Sequence, residues 1–191
     1  MKKTILASAV LCSGLFFTMS SCKKDSTTPV TIIEKTDSLK VSFSSSAPFA
    51  YFSFKNDAVV ANTDSATTHW DLGLRFTTFI LNSHNYGPGN ASAILQNNIY
   101  SSVTAAPDAG YAYDTTSSQK AIKDGSWYDY DPSTHAFAPK AGQTFIFHTA
   151  DNNYVKMELL AVDYEPFTGP VPVTLIYRFR YTYQANGTKT F

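Results

Sequence analysis

Four histidines, two cysteines and scattered carboxylates are the residues of this 191-residue chain whose types could do chemistry. His69, His84, His135 and His148 show no pairing at i+2, i+3 or i+4, and no cysteine joins them, which argues against a structural zinc site. No Gly-x-Ser-x-Gly elbow is present, and Gly87-Pro88-Gly89 lacks the lysine and following helix of a phosphate-binding loop. Asp129 and Asp131 would share one face of a strand, as paired glycosidase acids could. In an aromatic strand such a pair reads more simply as a solvated face. One constellation stands apart: Trp127, Tyr128, Tyr130 and Phe137 surround the polar turn from Asp131 to His135. Haem needs a flat apolar slot and an axial His, Met or Tyr, and this loop offers aromatic rings with one imidazole. The same aromatics would also serve as core and hairpin packing. Met157 is expected in the core rather than as a ligand.

The N-terminus carries a second chemistry. Lys2 and Lys3 precede an apolar stretch from Ile5 to Phe17, which ends in Met19-Ser20-Ser21 before Cys22. That is the pattern of a secretory signal peptide over residues 1–21. The stretch is shorter than the roughly 20 residues needed to span a bilayer. Ser21 directly before Cys22 resembles the lipobox of bacterial lipoproteins, whose cysteine is acylated, and Cys12 is the poorer candidate because Leu11 precedes it. Removal of residues 1–21 leaves Cys22 as the only thiol of an exported chain. Residues 22–29, polar and rich in Lys, Ser and Thr, are expected to form an extended tether. Lys23-Lys24-Asp25 after the cysteine resembles a surface-delivery signal.

The elements that must position these residues are strands. Between Val173 and Tyr183 the odd positions are Val, Leu, Tyr, Phe, Tyr and Tyr, a half-buried period of two. Phe145 to Phe147 and Tyr154 to Ala161 alternate in the same way around a turn at Ala150–Asn153. Pairing Phe147 with Val155 and Phe145 with Met157 puts the large side chains on one face and His148 on the other. Further strands are expected at Val30–Glu34, Leu39–Phe43, Phe49–Phe54, Trp70–Phe76, Phe79–Leu81, Ala93–Gln96 and Trp127–Tyr130. Asn82–Asn90 and Asp163–Pro172 read as irregular loops, and Ser117–Lys123 as one or two helical turns. The fold class is all-β, a single antiparallel β domain over residues 30–191.

Composition agrees. Fourteen Phe, twelve Tyr and two Trp favour strands. Fifteen Lys plus Arg cancel fifteen Asp plus Glu, which removes the cationic excess that a nucleic-acid partner requires.

Several pieces, in order, resemble the HmuY family of haem-binding surface lipoproteins. They are Tyr51-Phe52-Ser53-Phe54 with Val59-Val60, Trp70-Asp71-Leu72-Gly73-Leu74 with the loop at Asn82–Asn90, and Gly110-Tyr111. Downstream come Gly125-Ser126-Trp127, Phe145-Ile146-Phe147 through Thr149-Ala150-Asp151-Asn152 to Lys156, and Phe179 to Tyr183. The resemblance implies a hand-shaped all-β domain that is not an enzyme. Such a protein captures haem or a related tetrapyrrole, is lipid-anchored at the outer membrane, and passes its cargo to a TonB-dependent outer-membrane receptor. In that family two axial residues hold the iron. Here only eleven residues separate Tyr113 from Gly125, and none is His or Met, so the finger bearing the first ligand is missing. His135, eight residues after Trp127, matches the second position with a gap. His148 stands where relatives commonly carry Arg, and Asn152 where they commonly carry Gly. Ligation through His135 alone, a ligand borrowed from His84, another hydrophobic ligand, and a receptor-associated or adhesive protein without haem all remain consistent with the sequence.

Overall fold

Alternating side chains build this protein. The computed structural model describes residues 32–166 and 168–191. Among them are the strands Glu34–Ser42 (β1), Ala50–Ser53 (β2), Ala58–Val60 (β3), Leu72–Arg75 (β4), Thr78–Leu81 (β5), Ser92–Gln96 (β6), Tyr128–Asp131 (β7), Ala136–Pro139 (β8), Thr144–His148 (β9), Tyr154–Tyr164 (β10) and Thr174–Gln184 (β11). A five-stranded antiparallel sheet runs β1-β11-β10-β9-β6, a four-stranded sheet runs β3-β2-β4-β5, and β7-β8 form a separate hairpin. In β11 the buried row is Leu175, Tyr177, Phe179 and Tyr181, and Arg178 and Arg180 alternate with it. A one-residue slip would send that whole row to solvent, so the register is strongly specified.

The two larger sheets share one core. Phe79 of β5 stacks on Phe145 of β9, with ring centroids 5.5 Å apart, and Phe52 of β2 meets Phe179 of β11 edge to face at 5.2 Å. Met157 is buried in the same cluster. The expected hairpin register holds: Phe147 pairs with Val155 and Phe145 with Met157. Asn152 takes φ +63° in the connecting turn, a conformation Asn tolerates better than most residues. Ile146, on the opposite face of β9, packs with Val103 and Ala106.

Three expectations are corrected. Val30 and Thr31 of the expected strand Val30–Glu34 lie outside the described residues; Glu34 and the expected strand Leu39–Phe43 fall together in or at the end of the single strand β1, whose pairing with β11 runs unbroken from Glu34↔Thr182 to Ser42↔Thr174. The charged residues between the two apolar pieces sit comfortably there, because β1 is a sheet edge. β10 continues to Tyr164, past the expected start of the loop at Asp163, by absorbing an extra residue between Leu159 and Ala161. Ser117–Lys123 forms bends, not helical turns. There Asp114 accepts the amides of Leu81 and Ala121, and the Gln119 amide donates to Thr116 Oγ1. Such side-chain bonds to backbone compete with helix hydrogen bonds and win in a short polar segment. Strands β3 and β8 are additions to the sequence reading.

Candidate ligand cleft and its histidine

The β7-β8 hairpin leans on the core through Phe137, whose ring meets Phe76 edge to face at 5.4 Å, and through Tyr128, which meets the buried Trp127 at 4.6 Å. Its tip is the turn from Asp131 to His135. Asp131 caps that turn by accepting the Ser133 hydroxyl and amide and the Thr134 hydroxyl. These bonds to the charged form hold its exposed carboxyl down at about 2. Asp129 is also exposed. A glycosidase acid needs a shift opposite to that of Asp131, and both side chains lie on an exposed face.

Between this hairpin, the ends of β1 and β4 and the segment before β11 lies a cleft of about 570 Å³, within the range of roughly 300–1,000 Å³ typical of small-molecule sites. Phe43, Phe76, Tyr128, Tyr130 and Phe137 line it with aromatic rings, Pro170, Val171 and Pro172 close one side, and His135 supplies its imidazole. Two of these residues have left-handed backbones, Phe76 at φ +50° and His135 at φ +58°. Such conformations cost roughly 1–3 kcal/mol and persist only where neighbours enforce them. Here the Tyr177 hydroxyl donates to the Phe76 carbonyl at 2.5 Å, and the Tyr164 hydroxyl donates to the His135 carbonyl. His135 Nδ1 lies 2.6 Å from the Tyr130 hydroxyl, which leaves Nε2 without a protein partner among the described residues.

The other histidines lie elsewhere. His84, at φ +44°, packs edge to face on Tyr113 at 5.3 Å. It borders a separate depression with Tyr51, Tyr86 and Pro88 that shares no residue with the cleft. The structure therefore does not bring His84 and His135 to one site. His148 is half-buried on the outer face of β9 beside Tyr111 and Tyr154, and burial lowers its pKa. His69 borders a small polar pocket with Lys55, Asp71 and Asp151. Among the described residues no group of three or more His, Cys, Asp or Glu side chains could hold a metal ion. Cys22 and the tether lie outside the described residues.

The sequence pointed to Trp127, Tyr128, Tyr130, His135 and Phe137, of which Trp127 is buried in the core and does not line the cleft. It missed Phe43, Phe76, Tyr164 and the Pro170–Pro172 wall, because each is distant in sequence from the hairpin it meets.

No family model matches the chain, and no curated protein matches it. Solved structures do. Apo PinO from Porphyromonas gingivitis superposes with a TM-score of 0.51 at 11% identity, covering 78% of this chain and 98% of that one. The chain shares the all-β fold of apo PinO. Also similar are the apo HmuY analog of Tannerella forsythia (TM-score 0.47, 11% identity, 79% of this chain and 96% of that one) and a chain from Bacteroides vulgatus named as an HmuY-like haem-binding protein (0.46, 12%, 76% and 90%). At these identities a likeness is one of architecture.

Proposed function

We propose that this protein is a cell-envelope lipoprotein, anchored through Cys22, that binds haem or a related tetrapyrrole in the aromatic cleft and delivers it to an outer-membrane receptor. The observation that carries the reading is an imidazole beside an apolar, ring-lined cleft, with one nitrogen engaged and the other free. A porphyrin has broad apolar faces and a metal that accepts a nitrogen lone pair. The lining rings fit the faces, and His135 Nε2 fits the metal. Phe43, Phe76, Tyr128 and Phe137 would lie against the macrocycle, and His135 would be the single protein ligand, because His84 borders another depression. The HmuY resemblance in the sequence supports the same ligand class, and the capture of cargo by ligation makes this a binding protein rather than an enzyme.

Titration of hemin into the purified domain tests this. A saturable Soret shift is expected, lost or blue-shifted in His135→Ala and unchanged in His84→Ala. No shift in the wild type, or one indifferent to His135, would refute the reading.

A further inference from the structure

His135 is held at two points, its carbonyl by Tyr164 and its ring by Tyr130. The ring contact bears on chemistry, and any part it plays in ligation rests on the haem reading. A neutral imidazole carries one N–H and one lone pair, and the bond made at one nitrogen decides which of the two the other offers. With Tyr130 Oη 2.6 Å from Nδ1, either group could donate. If the phenol donates, Nε2 carries the proton and cannot ligate. If Nδ1 donates, Nε2 is a bare lone pair. Tyr130 is 47% exposed, so its own proton can go to water, and its oxygen is left to accept.

We propose that Tyr130 is the positioning residue of His135: its hydroxyl oxygen accepts from Nδ1–H, fixes the imidazole in that tautomer and leaves Nε2 as the ligating atom. Tyr130 itself touches no iron. Its effect passes through the ring, whose basicity at Nε2 rises with the strength of the hydrogen bond that Nδ1–H donates. Partners of this kind change metal affinity by roughly 10–100-fold when removed.

The test has an arm without ligand. Long-range proton–nitrogen NMR of the free protein should show His135 in a single neutral tautomer, protonated at Nδ1. Tyr130→Phe, which keeps the ring and removes the oxygen, should show the tautomer mixture of an unrestrained imidazole. In the second arm, Tyr130→Phe should release hemin about tenfold faster than wild type with its core stability unchanged. The same tautomer in both proteins, or equal release rates, would overturn the proposal. These outcomes separate from failure of the haem reading. Hemin that shifts in the wild type, depends on His135 and ignores Tyr130 refutes only the positioning role, whereas no Soret shift in the wild type refutes the site itself.

Discussion

Asp71 shows how one side chain can join the two sheets and make the molecule pH-sensitive. It is buried, and its oxygens accept the Phe54 amide at the end of β2 and the Ala150 amide in the β9-β10 turn. Burial pushes its carboxyl up to about 6, against those two amides, which pull the other way. A folded pKa above the unfolded one means that the folded state binds the proton more tightly. The stability this group contributes is therefore complete below about pH 4 and is lost as pH rises through about 6. A shift of about two units corresponds to about 3 kcal/mol. Urea unfolding of wild type and Asp71→Asn at pH 4 and pH 7 should show the wild type losing on the order of 2–3 kcal/mol more than the variant on going up in pH. Equal losses would mean that Asp71 does not titrate in this window. Nothing in the sequence separated Asp71 from the exposed Asp129 and Asp131. Its position in the Trp70–Leu74 piece was legible, but its burial depends on a turn some eighty residues away.

At the scale of elements, what the sequence revealed and what it hid obey one rule. Strands with a buried face announce themselves by alternation, as β10 and β11 do, and the register of β9 on β10 came from keeping Phe145, Phe147, Val155 and Met157 on one side. β8 was hidden because Phe137 is its one large buried side chain. The left-handed residues at Phe76 and His135 were hidden too, since neither type advertises that backbone as glycine does. Glycine carries a different constraint in β4. Gly73 sits between Tyr51 of β2 and Ile80 of β5, and an added Cβ would lie 2.6 Å from Ile80 Cγ1 and 3.2 Å from Tyr51 Cδ1. Ile80 and Tyr51 are buried and the sheet has no slack. Gly73→Ala should destabilise the domain by about 1–3 kcal/mol in chemical denaturation. An unchanged midpoint would show that the sheet can shift.

At the scale of the whole molecule, the chain divides into a fold that positions a cleft and an N-terminus that would position the fold. Cys22→Ala should leave the precursor uncleaved and remove labelling by radioactive palmitate in cells. Labelling that persists would contradict the anchor. The β domain and its core were legible in sequence because large apolar and aromatic side chains alternate along the long strands, as Leu175, Tyr177, Phe179 and Tyr181 do in β11. The cleft was legible only in part. Its walls come from residues 43, 76 and 170–172 as well as the hairpin, and only folding brings them together. The proposed function stands on that aromatic cleft and its one available imidazole. A crystal structure of the domain grown with hemin tests it most directly. The porphyrin is expected in the cleft against Phe76 and Phe137, with iron bonded to His135 Nε2. Hemin bound elsewhere, or in the cleft with its iron away from His135, would contradict it.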